Sequence, residues 1–284
     1  MRTSKQSKVL DRFSQIFENQ NLPSSKTLPS VRRDRIHTLI KDRQFARVAE
    51  LSSQFGISEV TVRSDLDHLE RRGHVRRVHG GAVIDERPIR RERSFEEESV
   101  ESTADKLSIG AAAAQMVQSG QTVIIDVGTT SLAVAQTMAD RDDLSDVNVV
   151  TNGLNIAAAF EPVTSRFTVV VTGGTLRPLQ HSLVDPFGGP VLERINADIL
   201  FLGCNGVHAT KGVTNVNLPE AEMKRRMMAA SFRTIGVADG SKIGQVSVAW
   251  VCPIDELDLL ITSSSAPEEE RELLVEQGLE IVVV

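Results

Sequence analysis

Val48-Ala49-Glu50-Leu51-Ser52-Ser53-Gln54-Phe55-Gly56-Ile57-Ser58-Glu59-Val60-Thr61-Val62-Arg63-Ser64-Asp65-Leu66 reads as two short helices joined by a tight turn. Val48, Leu51 and Phe55 are spaced for one helical face, and Gly56 stands where the turn wants a left-handed residue. Ile57 is expected to plug inward. Ser58 can cap the second helix, and Glu59 favours its positive end. Val62, Leu66 and Leu69 then make an i, i+4, i+7 stripe suited to burial. This is the layout of a helix-turn-helix, whose second helix enters the DNA major groove.

Upstream, Ile36, Leu39 and Ile40 form a further helical stripe. Downstream, Gly73 should end the recognition helix, and residues 74–83 read as a β-hairpin wing rich in cations. The unit over residues 32–84 is therefore expected to be a winged helix-turn-helix. Its buried stripe turns Val60, Arg63, Ser64 and Asp67 outward and leaves Ser58, Glu59 and Thr61 at the end that enters the groove. Arg63 can donate two bonds to guanine, and Val60 can meet a thymine methyl. Ser58, Thr61 and Ser64 suit phosphate or short base contacts. Arg71, Arg72, Arg76, Arg77 and His79 would neutralise phosphates. A helix-turn-helix used for protein contacts, or a plain solvated helix, is the alternative. It accounts less well for a cationic wing beside a groove-facing set.

Charge supports a division of labour. Residues 1–81 hold 16 Lys/Arg against 9 Asp/Glu, and residues 82–284 hold 16 against 29. A basic front on an acidic body confines phosphate contact to the first third. The two cysteines, Cys204 and Cys252, give neither a disulfide framework nor metal-ligand spacing, so a cytoplasmic protein without metal or cofactor is expected. No apolar run approaches a membrane span, and the N-terminus lacks the apolar core of a signal peptide. Residues 1–31 are polar and read as a tail. Residues 85–105, dense in charge from Asp85-Glu86-Arg87 to Glu96-Glu97-Glu98, read as a linker.

Residues 106–284 alternate apolar strands with amphipathic helices, which implies an α/β domain with a mainly parallel sheet. Strands are expected at 122–126, 147–151, 167–172, 198–203, 233–238, 257–262 and 279–284, the last reaching the terminus as if the fold were complete there. Helices are expected at 106–118, 132–139, 154–160, 219–231 and 267–277. Most strands run into a polar, glycine-containing loop, and in a parallel sheet such loops share the carboxyl edge, where ligands bind. Gly128, Thr129, Thr130 and Ser131 open onto a helix N-terminus, an anion site suited to phosphate. Asn152-Gly153, Gly173-Gly174 and Asn205 add polar loop groups. Arg177 and Lys242 add positive charge, and Asp126, Asn152, Asn205 and Glu220 can bond sugar hydroxyls. Each loop alone is an ordinary turn; five at one edge make a polyol-phosphate pocket.

Ile57 to Leu66, Leu69-Glu70-Arg71-Arg72-Gly73 and Arg77-Val78-His79-Gly80-Gly81 closely resemble the DeoR family of bacterial transcriptional regulators. The resemblance continues through Asp126 to Ser131, Thr151-Asn152-Gly153, Gly173 to Arg177, Glu220 to Arg225 and Gly240-Ser241-Lys242. It implies an effector domain similar to ribose-phosphate isomerases and CoA-transferase-like folds that binds phosphorylated sugars. The implied phosphate contacts are Gly128, Thr129, Thr130 and Lys242. The implied sugar-facing set is Asp126, Asn152, Arg177, Asn205, Glu220 and Lys224. This chain departs at Ser64, where the family usually has a second arginine, and at Asp185, where many members have glycine. It departs again at Asn205, where related isomerases place a carboxylate that an amide cannot replace as a base.

The reading is a regulator, not an enzyme: a repressor of a sugar catabolism operon, released or recruited by a phosphorylated sugar. It would bind double-stranded operator DNA as a homodimer or larger homo-oligomer, since one recognition helix reads few base pairs. An isomerase-like enzyme with an appended DNA-binding module, or a scaffold with a vestigial pocket, are the alternatives.

Overall fold

The computed structural model describes residues 29–71, 75–78, 80–84 and 92–284. The chain divides into two compact units between residues 89 and 90. Among the described residues no helix is long and apolar enough to cross a membrane, and no cluster of His, Cys, Asp and Glu is placed to hold a metal.

The first unit runs α1 (Pro29–Arg43), β1 (Phe45–Arg47), α2 (Val48–Phe55), α3 (Glu59–Arg71), β2 (Val75–Val78) and β3 (Gly81–Ile84). Helix α1 starts inside the expected tail of residues 1–31, because a proline's fixed φ suits the first helical position, where no N–H is needed. Most of that tail, and Gly73, lie outside the described residues. Ile36 and Ile40 of α1, Val48 and Leu51 of α2, and Val62, Leu66 and Leu69 of α3 close one core. Gly56 takes φ +59°, and its N–H bonds the Ser52 carbonyl, ending α2 as a left-handed cap should. Ser58 Oγ accepts from the Thr61 amide at 3.2 Å, which starts α3. Arg32 grips Asp65 through two bonds of 2.7 and 3.1 Å. Asp65 is therefore an internal tie between α1 and α3.

The wing is antiparallel, with β3 between β1 and β2. Strand β1 was not foreseen: three residues between two helices carry no readable period. It forms because Ala46 is small and buried against β3. A Cβ at Gly81 would overlap the Ala46 carbonyl oxygen, so the two backbones can approach only through glycine.

The second unit contains α4 (Phe95–Ser99), α5 (Thr103–Ala114), β4 (Thr122–Ile125), α6 (Thr129–Asp140), β5 (Val147–Thr151), α7 (Leu154–Ala159), β6 (Phe167–Val171), β7 (Thr175–Arg177), β8 (Ser182–Val184) and α8 (Gly188–Leu192). It continues with β9 (Ala197–Leu202), β10 (Gly206–His208), β11 (Gly212–Asn215), α9 (Leu218–Ala229), β12 (Ser231–Val237), β13 (Ala249–Cys252), β14 (Leu259–Thr262), α10 (Glu268–Glu276) and β15 (Ile281–Val283). All seven expected strands join one parallel sheet in the order β15-β14-β12-β9-β4-β5-β6. The sheet is apolar on both faces because both are covered. Val123 and Ile125 pack with Ile109, Val134 and Met138 of α5 and α6, while Ile124 between them packs with Met223 and Met227 of α9.

The expected linker over 85–105 is corrected from residue 92 onward, and the part before it lies outside the described residues. Ser94 and Glu97 form a reciprocal capping box that starts α4, and Phe95 is only 8% exposed. Lys106 Nζ, buried at the start of α5, donates to the carbonyls of Glu98 and Glu101 at 2.6 and 2.7 Å. A charge-dense run thus folds into the second unit because its apolar anchor and its backbone carbonyls have partners. The small sheet β10-β11-β13 and the hairpin β7-β8 are further additions to the expected layout.

Candidate functional site

On the first unit, the outward face of α3 is polar with one apolar exception. Ser58, Glu59, Arg63 and Ser64 are exposed and Thr61 is half-buried. Val60 is 72% exposed, with no intramolecular partner surface. Arg63 donates to Glu59 at 2.6 Å one turn earlier, so reaching a base requires exchanging this surface pair. Arg76 is exposed on β2. Arg77 is placed differently from expectation. Its guanidinium pairs with Asp67 and its amide donates to Glu70 at 2.7 Å, tying the wing to α3 instead of standing free for phosphate. Arg72, His79 and the side chain of Arg71 lie outside the described residues.

On the second unit, the chain leaves the interior strand β4, fills one side of the sheet with β5 and β6, and returns to the other side with β9. The crevice beside such a reversal, at the carboxyl ends of β4 and β9, is where this topology admits ligands. A narrow cleft, open to solvent, lies there. Gly128 takes φ +138° and starts the twelve-residue helix α6. The first turn of α6 has no intrahelical partner for its N–H groups, and these with Thr129, Thr130 and Ser131 line the cleft. Ser131 Oγ is fully buried and has no partner within the protein.

Beneath the cleft sits a buried ion pair. Lys224 Nζ of α9 binds Asp126 Oδ2 and donates to the Gly203 carbonyl at 3.0 Å, and the Gly203 amide donates back to Asp126 Oδ2 at 3.0 Å. Burial opposes the Lys224 charge, but Asp126 and then Glu220 outweigh it and hold the ammonium above the ordinary lysine range. Asp126 Oδ1 has no partner within the protein. Glu220, capped through its amide by Asn217, accepts from Arg177, from Ser182 Oγ at 2.7 Å and from Asn215 Nδ2 at 3.3 Å. Asn205 Oδ1 accepts from the Val216 amide at 3.0 Å.

The expected effector set is thus split. Gly128, Thr129, Thr130, Ser131, Asn205, Glu220, Lys224 and Lys242 line the cleft. Asp126 lies behind Lys224, and Arg177 lies behind Glu220. Asn152 donates to the Leu183 carbonyl, and Gly153 packs on Ile156. Gly174 is required by a close approach to Val184, not by a ligand, and Gly173 precedes it at φ +78°. Asp185 is paired with Arg226 at 3.5 Å. The lining also includes Cys204 and Asp239, from two of the polar loops after strands, and Glu92, Glu98, Gln180 and Asn215, which were not anticipated. Gln180 sits in a hairpin turn and Glu98 in a charge run, so neither carried a periodic signal.

The family model described as DeoR C terminal sensor domain matches residues 101–264, and that described as DeoR-like helix-turn-helix domain matches residues 32–88. The HTH-type transcriptional regulator GlpR of Haloferax volcanii is 34% identical over 90% of this chain and 98% of its own. The putative aga operon transcriptional repressor of Escherichia coli O157:H7 is 34% identical over 90% of this chain and 94% of its own. Among solved structures, ribose 5-phosphate isomerase A from Methanocaldococcus jannaschii covers 48% of this chain and 52% of its own at 15% identity, with a TM-score of 0.36.

Proposed function

The chain belongs to the DeoR family of transcriptional regulators, and from that premise we propose that it represses a sugar catabolism operon, with a phosphorylated sugar in the β4/β9 cleft setting its affinity for DNA. The observation that carries this reading is the start of α6. Unpaired backbone amides, the hydroxyls of Thr129 and Thr130 and the partnerless Ser131 Oγ meet in one cleft with Lys242. Helix-start amides and an ammonium suit a phosphate, and a buried hydroxyl without a partner is satisfied by a polar ligand.

The acid–base alternative is disfavoured by the same geometry. Glu220 is held by three donors, and the Asn205 amide oxygen is already committed to Val216. A general base must be free to take a proton from the substrate. Operator recognition is assigned to Ser58, Val60, Thr61, Arg63 and Ser64, with Arg76 on phosphates. We place two copies on the operator, since paired helices double the bases read, and we place the protein in the cytoplasm with its DNA.

The test is fluorescence anisotropy on DNA from the protein's own promoter region, with and without a panel of sugar phosphates. Sequence-selective binding that one sugar phosphate changes at least about tenfold, a typical allosteric coupling, is expected. Binding that is indifferent to sequence at moderate salt, or to the whole panel, would overturn the proposal.

A further inference from the structure

Residues 92–99 border the cleft with two carboxylates. Glu92 Oε2 accepts from Arg177 Nη2 at 2.6 Å, and Glu98 Oε1 lies 3.6 Å from Lys242 Nζ. Both side chains are well shielded, at 17% and 15% exposed. A shielded carboxylate is costly unless paired, so Arg177 and Lys242 are what hold these acids in place. The rest of the attachment is local. The Phe95 ring stacks on His181 with centroids 5.2 Å apart, and its amide donates to the Leu179 carbonyl at 2.8 Å. Gln180 donates to the Arg93 carbonyl, and Lys106 gathers the carbonyls at the end of α4.

Lys242 is also the ammonium that a phosphate in this cleft needs. A dianion brought to it meets the Glu98 carboxylate on the same nitrogen, and like charges so close repel strongly in a partly shielded site. Glu92 engages Arg177, whose other nitrogen holds Glu220 in the cleft wall.

We infer that residues 92–99 are an internal anionic competitor for the effector: Glu98 holds Lys242 while Glu92 adds a second carboxylate to the same cleft, and an incoming phosphate displaces Glu98 from the ammonium and frees the segment. This rests on the cleft being the phosphate site, as proposed above. The segment begins just after the boundary between the two units. Its release therefore alters the first described stretch of the second unit.

The full-length protein is compared with Glu92→Gln/Glu98→Gln and with Lys242→Met, using inorganic phosphate as the probe in titration calorimetry. The double variant should bind phosphate at least about tenfold more tightly, because a like-charged competitor has become neutral. In the unsubstituted chain, saturating phosphate should speed amide hydrogen exchange over residues 95–99, where simple site occupancy would slow it. Affinity unchanged or weakened in the double variant, or slowed exchange in this stretch, overturns the competitor. If Lys242→Met has meanwhile lost phosphate binding, the cleft itself stands. Phosphate binding that survives Lys242→Met undiminished overturns the cleft and the competitor together.

Discussion

Asp126 reads in sequence as a ligand contact, and the structure makes it the counter-charge of Lys224. The consequence is measurable. Asp126→Ala should cost about 3–5 kcal/mol in urea denaturation, the usual penalty for stranding one member of a buried pair. Asp126→Leu combined with Lys224→Met should recover most of that loss. Arg63→Ala should weaken operator binding by about 1–3 kcal/mol and leave binding to unrelated DNA little changed, read by competition anisotropy. Cys204 provides a pH-dependent readout. Loss of hydration pushes its thiol up to about 11, so near pH 8 it is about a thousandth thiolate. Native Cys204 should therefore be alkylated by iodoacetamide about a hundredfold more slowly than an unperturbed cysteine, followed by mass spectrometry, and should reach the ordinary rate only on unfolding. At this scale the sequence conveyed chemical type well and address poorly. Asp126, Arg177 and Asn152 are polar groups near a ligand edge, and nothing in their spacing reveals that other protein groups already hold them.

At the scale of elements, legibility followed period and burial. The seven sheet strands were found within two residues of their expected ends because each is an apolar run between turn signals. Strands β1, β7, β8 and β10 have three residues each, too few for alternation to register. Helix α4 was hidden for another reason: three consecutive glutamates read as a solvated linker, while the partners that hold it, His181 under Phe95 and Lys242 beside Glu98, lie far along the chain. The wing offers a direct test. Gly81→Ala should destabilise the first unit by about 1–3 kcal/mol, since the added carbon overlaps the backbone of β1, a rigid neighbour. Ser58→Ala should cost about 1 kcal/mol through loss of the α3 cap, and both are read from thermal melts.

For the whole molecule, the opposing charges of the two parts matter more than the net −6. On the proposed reading, contacts with DNA fall to the basic front, and the duplex repels the acidic remainder. Operator affinity should consequently fall steeply with salt, with a log–log slope of about −5 for roughly six phosphates contacted by a dimer. Effector binding, whose ion pairs are shielded in a cleft, should respond far less. A shared, shallow salt dependence would contradict that partition. The family membership could be read from Ile57 to Leu66 and from the loop at Asp126 to Ser131, because both motifs are contiguous in the chain. The cleft lining could not, since it draws on residues from Glu92 to Lys242 that only the finished sheet brings together.

The crossover from β4 to β9 also sets an order of manufacture. The DNA-reading unit closes its core with residues no later than Ala82. The sensor cleft has one wall at residues 127–131 and the other within residues 203–242. A chain leaving the ribosome folds its front end first, so the reading head is complete while one wall of its control site is still being synthesised. A message broken between these points would encode the whole first core beside half a cleft, so its product should keep the fold of the first unit and lose phosphate binding outright.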